Sequence, residues 1–121
     1  MTNQEFSTYF KDKTKNFAVR VIKYLEKLEN SPSLRVIRYQ LIKSATSTAA
    51  NYRAACRARS NAEFHAKISI SLEEADESLF WLEMIEDTGL DNIKKSPLKD
   101  LMKEATEIVS VLAKARKNTK K

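Results

Sequence analysis

Apolar residues recur along this chain at steps of three and four, the spacing of one face of an α-helix, and a strand cannot share that period. The first stripe is Phe17, Val21, Tyr24 or Leu25, and Leu28, which predicts a helix from about Lys11 to Leu28. Asn30, Ser31 and Pro32 stop it, because proline has no amide hydrogen to donate and pushes the preceding residue out of helical geometry. A second helix, starting near Ser33, carries Leu34, Ile37, Leu41, Ala45, Thr48, Tyr52 and Ala55 along one side. Ser60 followed by Glu63 reads as a capping box that opens a third helix, with Arg59 to Asn61 as the joint. That helix carries Phe64, Ile68, Leu72, Ala75, Leu79 and Leu82 inward and ends around Gly89, where glycine accepts a left-handed conformation. After a linker over residues 89–95, Ser96 and Pro97 supply an N-cap and a first-turn proline. Leu98, Leu101, Met102, Ala105, Ile108, Val109, Leu112 and Ala115 then define a fourth helix.

Four amphipathic helices with short joints bury their stripes as an antiparallel up-down-up-down four-helix bundle, an all-α fold. One domain over residues 1–121 is expected, with flexible ends at about 1–10 and 116–121. One glycine and two prolines in 121 residues leave little material for hairpins and agree with long helices. No apolar run approaches the ~18 residues of a membrane span, and the start lacks a basic segment followed by a hydrophobic one, so a cytoplasmic location is expected. The lone Cys56 reads as packing.

Several chemistries are missing from the pattern. A di-metal carboxylate site in a bundle needs Glu-x-x-His pairs on two helices, and this chain has one histidine, His65, and no carboxylate on helix two. One glycine cannot build a phosphate-cradling loop. Glu73, Glu74, Asp76 and Glu77 read as a charged helix face, since no loop is placed to form a pocket over them. A non-enzymatic protein without metal or cofactor is therefore expected.

The charge distribution changes the picture. The net charge is +6, but residues 30–62 hold six basic side chains (Arg35, Arg38, Lys43, Arg53, Arg57, Arg59) and no acidic ones, whereas residues 63–87 hold eight acidic and one basic. The side of helix two away from its core carries Arg35, Tyr39, Lys43, Thr46, Ala50, Arg53 and Arg57, where a solvated face would normally mix signs. The corresponding side of helix three carries Ile70, Glu74, Glu77, Trp81 and Met84, apolar groups among carboxylates, as at a subunit contact. Arg35, Lys43, Ile70, Glu74, Glu77, Trp81 and Met84 are accordingly expected at an oligomer interface, with the acidic face of one subunit meeting the basic face of another in a head-to-tail ring. Gln40, Ser47 and Asn51 form a further stripe expected to hydrogen-bond across a helix interface and set its register.

The run QLIKSATSTAAN from Gln40 to Asn51, with Arg59, Ser60, Glu63, Phe64, Ile68 and Glu77, resembles the bacterial four-helix-bundle family of 23S rRNA intervening-sequence proteins. That family includes the accessory variability proteins of diversity-generating retroelements. The resemblance implies the same bundle, assembly into homopentameric rings, and a proposed role in binding RNA or DNA, with a reverse transcriptase as partner in the retroelement branch. Where many members have Ile-Ala-Glu-Gly after the asparagine, this chain has Tyr52, Arg53, Ala54 and Ala55, and where many have Gly-Ser it has Glu73 and Glu74. The two changes look like a coupled exchange between surfaces that meet in neighbouring subunits.

The expected function is a homo-oligomeric nucleic-acid-binding protein for structured RNA with low sequence specificity. The expected contacts are Arg53, Arg57, Arg59, Lys114, Arg116, Lys117, Lys120 and Lys121. The alternative is an oligomeric protein-interaction scaffold whose basic helix is used in subunit contacts.

Overall fold

The computed structural model of the chain describes residues 1–119 and contains four helices, α1 (Asn3–Glu26), α2 (Pro32–Ala55), α3 (Asn61–Thr88) and α4 (Leu98–Asn118). Close backbone approaches run around a square, α1 to α2 to α3 to α4 and back to α1, with none across its diagonals among the described residues. That is the expected antiparallel four-helix bundle.

Helix α1 begins eight residues before its predicted start. Thr2 Oγ1 accepts from the Glu5 amide at 3.0 Å and Glu5 Oε1 accepts from the Thr2 amide at 2.7 Å, a reciprocal cap that satisfies two amides a helix start leaves free. Phe10, expected in a flexible end, is fully buried and meets Tyr52 edge to face at 4.7 Å, so tertiary packing holds the first turns. At the other expected flexible end α4 continues to Asn118, while Lys120 and Lys121 lie outside the described residues.

The ends of the helices are closed by side chains. Ser31 caps α2, accepting from the Leu34 amide at 3.1 Å. Arg38 reaches back from α2 to the end of α1, donating to the carbonyls of Leu25 at 3.1 Å and Leu28 at 3.4 Å and to Asn30 Oδ1 at 3.0 Å. These are acceptors that a helix C-terminus leaves without partners. Ser60 caps α3 as predicted, but Glu63 Oε1 accepts from the amide of Arg59 at 2.8 Å and not from that of Ser60, one residue outside the usual reciprocal cap. Gly89 closes α3 at φ 69°, in the left-handed region, and the Leu90 amide donates to the Ile85 carbonyl at 3.2 Å. In the linker that follows, Asp91 accepts from the Tyr24 hydroxyl at 2.7 Å, the Ile93 amide at 2.8 Å and the Ser96 hydroxyl, which fastens the α3–α4 connection to α1.

The core runs through all four helices: Phe10, Phe17, Val21 and Leu25 from α1, Leu34 and Leu41 from α2, Ile68, Leu82 and Ile85 from α3, and Leu101, Ile108 and Leu112 from α4. Each side chain of this size removed from water contributes about 1.5–3 kcal/mol. The predicted stripe of α2 is buried throughout, but that of α3 is not: Phe64, Leu72 and Leu79 are half-buried, while Ser71 and Ser78 are fully buried. The cause is the close approach of α2 and α3 along the small residues Ser44, Ala45, Thr48, Ser71, Ala75 and Ser78. Ser44 Oγ and Ser78 Oγ share a hydrogen bond of 2.8 Å, and Ser71 Oγ donates to the Thr48 carbonyl at 2.8 Å. These two bonds satisfy buried hydroxyls and fix the register of the pair.

The α1–α4 seam is the sparsest of the four. It is bridged at its surface by Lys13 with Glu104 and Glu107, at 3.7 and 3.3 Å, and by Arg20 with Glu104.

Candidate nucleic-acid interface

Helix α2 presents its polar side to two neighbours, and the two resulting surfaces differ in charge and shape. On the α1 side a groove of about 480 Å3 opens between the helices, lined by Lys11, Lys15, Arg53 and Arg57, with Asp12 the one carboxylate. Its floor is Ala18, Val19, Ile22, Thr46, Ala49 and Ala50, and the alanines, which stop at Cβ, leave the space. Lys11 and Lys15 are one helical turn apart on α1, Arg53 lies in the last turn of α2 and Arg57 in the turn that follows it, and all four line the groove. Among the described residues none of these four cations forms an ion pair.

The remaining expected cations are placed differently. Arg59 sits outside the groove and pairs with Glu63 at 3.5 Å. Lys114, Arg116 and Lys117 are exposed on α4, with Arg116 Nε donating to Ser69 Oγ of α3 at 2.9 Å. Lys120 and Lys121 fall outside the described residues. Arg53 and Arg57 are thus joined by Lys11 and Lys15, which the sequence reading passed over. The signal was present, since Lys11 and Lys15 share a helix face with Ala18 and Ile22 at three- and four-residue steps. It was masked because residues 1–29 mix signs.

On the α3 side the register set by the serine contacts places Val36 at the level of Met84 and Lys43 at the level of Glu77, while Tyr39, one turn from Arg35, points outward from the bundle. Val36 is 59% exposed, Tyr39 65% and Phe80 48%. Phe80 and Trp81 meet edge to face at 4.9 Å, and Trp81 Nε1 donates to Glu77 Oε2 at 3.1 Å. Ile70, Glu74, Glu77, Trp81, Met84 and Lys43 therefore lie on one strip, with Trp81 and Met84 also packed in part against their own core. Arg35 lies toward the α1 side of α2 and does not join them.

The carboxyl of Glu74 is held above its ordinary value by partial burial and by repulsion from Glu77 and Glu73, against the attraction of Lys43. Gln40, Ser47 and Asn51 flank the same strip, half-buried. Asn51 Nδ2 donates to the Ser47 carbonyl at 2.9 Å and to Ser47 Oγ at 3.0 Å, within its own helix. The expected cross-helix bonds are made instead by Ser44, Ser71 and Ser78.

His65 is half-buried, with Nδ1 3.1 Å from Thr119 Oγ1. Among the described residues no group of three or more His, Cys, Asp or Glu side chains is placed to hold a metal ion. No helix among them is long and apolar enough to cross a membrane.

Fold and surface together define an antiparallel helical bundle with a cationic groove on one side of α2 and an aromatic, acidic strip on the other. Residues 9–114 match the family described as 23S rRNA-intervening sequence protein, and the chain belongs to that family. It is also similar to a protein of unknown function from the S23 ribosomal protein family of Bacteroides thetaiotaomicron. The two share 34% identity over 92% of this chain and 97% of that one, with a TM-score of 0.79. No curated protein matches the sequence.

Proposed function

We propose that this chain is a non-enzymatic, self-associating protein of the cytoplasm that binds nucleic acid, structured RNA in particular, with little sequence specificity. The observation that carries the reading is the α1/α2 groove, where Lys11, Lys15, Arg53 and Arg57 face solvent without ion-pair partners among the described residues. Clustered cations attract phosphates and release the counterions condensed on them, which is the dominant sequence-independent source of affinity for nucleic acid. The groove floor offers methyl groups to sugars and base edges and, apart from Thr46, no hydrogen-bonding side chain, so it carries no code for base identity. Membership of a family named for intervening sequences of 23S rRNA supports RNA as the ligand. Lys114, Arg116 and Lys117 extend the positive surface on α4.

The test is fluorescence anisotropy of a labelled RNA hairpin at about 50 mM salt. Binding that weakens steeply with added salt supports the reading, and no binding at this ionic strength contradicts it.

A second reading, an oligomeric scaffold for a protein partner, draws on the α2/α3 strip. Exposed Val36 and Phe80 beside Trp81 and Met84 form an apolar surface of the kind that partners cover. The resemblance favours a ring of five subunits, and sedimentation at micromolar concentration distinguishes a ring from a monomer.

A further inference from the structure

We infer that the α1/α2 groove takes the end of an RNA strand, with a terminal phosphate monoester held by Lys11, Arg53 and Arg57 and the last nucleoside lying over the uncharged half of the floor. The inference rests on the nucleic-acid reading above and names the part of the RNA that enters.

The two ends of the groove differ. Phe10 of α1 and Tyr52 of α2 meet edge to face, which fixes one common level of the antiparallel pair. Lys11 and Arg53 directly follow these two residues, so at about 1.5 Å of rise per residue each lies within about 2 Å of that level. Arg57 stands just past the end of α2, at the same end of the bundle. Counted in the same way toward the middle of the bundle, Lys15 lies about 7 Å from that level, Thr46 about 9 Å, Val19 about 13 Å and Ile22 about 18 Å. The four cations and Asp12 thus occupy one half of the groove, and Ala18, Val19, Ile22 and Thr46 line the other half without a charge. The Thr46 hydroxyl donates to the Ile42 carbonyl of its own helix at 2.7 Å. Val19 is 40% exposed, so the apolar floor is open to a ligand there.

This separation distinguishes the end of a strand from its middle. A strand carries a phosphate on every nucleotide, and one threaded along the whole groove would lay charges over the alanine, valine and isoleucine half, where no cation meets them. A looped-out internal nucleotide avoids that half with its phosphates but must pass the charged mouth twice, in and out. A groove of about 480 Å3 has the size of a site for one small molecule and leaves no room for two passages. A strand end passes once. Its terminal phosphate carries about two negative charges at pH 7 where an internal diester carries one, so cations gathered at one level favour it. Its base, which is uncharged, extends over the methyl groups beyond Lys15, and the diester that follows lies back toward the mouth.

The whole chain, titrated at about 50 mM salt with hairpin RNAs labelled in the loop, tests the inference. The hairpins carry a short single-stranded overhang at the 5′ or the 3′ end, finished by a phosphate or by a hydroxyl. Each hydroxyl-ended RNA is longer by two nucleotides, so that total charge is matched. The phosphate-ended RNA should bind about tenfold tighter at one terminus or at both, and the terminus shows which end enters. A preference smaller than threefold at both termini overturns the inference and leaves the nucleic-acid reading standing. Absence of binding to every hairpin overturns both.

Two variants, checked for retained helicity by circular dichroism, test the placement within the groove. Arg53→Gln with Arg57→Gln should bring the preference below threefold. Val19→Lys, at an exposed position, puts a cation into the uncharged half and should tighten binding of the hydroxyl-ended RNA, so that the preference falls to less than half that of wild type. An undiminished preference in either folded variant overturns the placement, and the wild-type comparison stands whether or not the variants fold.

Discussion

The two flanks of α2 are built from similar small residues and put them to opposite uses. Toward α3, Ser44, Ala45 and Thr48 meet Ser71, Ala75 and Ser78, and the backbones draw together until no room remains. Toward α1, Thr46, Ala49 and Ala50 face Ala18, Val19 and Ile22, and a groove of about 480 Å3 is left open. What differs is the pairing. Buried hydroxyls on α3 find partners across the joint at 2.8 Å, so close contact is favoured. Lysine and arginine at the rim of the α1 side repel one another and stay hydrated, so that side remains open. A small residue in a helix thus marks either a close joint or a binding groove, and the polar residues around it decide which.

The closed joint is most sensitive to substitution at Ser78. Ser78→Leu pushes three extra carbons into the closed joint and removes the partner of Ser44, and urea denaturation should register a loss of about 2–3 kcal/mol. Next in size is the staple between the linker and α1. Burial raises the Asp91 carboxyl, but hydrogen bonds from Ser96, the Ile93 amide and Tyr24 outweigh it and hold the group below its ordinary value of 3.8. A carboxyl depressed on folding stabilises the fold at pH above that ordinary value and ceases to do so as pH falls through the depressed one. Asp91→Asn should therefore cost about 1 kcal/mol at pH 7, and the difference from wild type should shrink in melts taken below pH 4. The smallest effect on folding is expected in the open groove. Ala50→Leu should change stability by less than about 0.5 kcal/mol and weaken RNA binding about threefold in anisotropy titrations, by filling space the ligand needs.

Much of the fold was legible because burial in α2 and α4 follows large apolar residues at helical spacing, and Leu34, Leu41, Leu101, Ile108 and Leu112 fall where periodicity puts them. In α3 the periodicity pointed at Leu72 and Leu79, whereas the deepest positions belong to Ser71 and Ser78. A serine looks polar in sequence, and only a partner on another helix, Ser44 or the Thr48 carbonyl, makes its burial favourable. The early start of α1 was missed for a similar reason. Phe6 and Phe10 lie one turn apart, but what holds the segment is Tyr52, more than forty residues away.

For the candidate site, the cations of α2 were evident from an acid-free segment, yet their fates were not. Arg38 closes the end of α1 and Arg59 meets Glu63 at the surface, whereas Arg53 and Arg57 have no ion-pair partner among the described residues. Lys11 and Lys15 enter the site from a segment of mixed charge, six basic and four acidic side chains over residues 1–29, and the packing of α1 against α2 is what joins them to Arg53 and Arg57. Gln40, Ser47 and Asn51 were identified as a polar stripe, but their bonds stay within α2, since the closest approach of α3 passes through Ser44 and Thr48.

The proposed function requires phosphate to bind the four cations between α1 and α2. The most direct measurement is the slope of log affinity against log salt for a structured RNA, compared between wild type and the protein carrying Arg53→Ala with Arg57→Ala. If these residues each neutralise a phosphate, wild type should give a slope of about −3 to −4 or steeper, and the variant a slope shallower by about 2. Equal slopes for the two proteins would contradict the account.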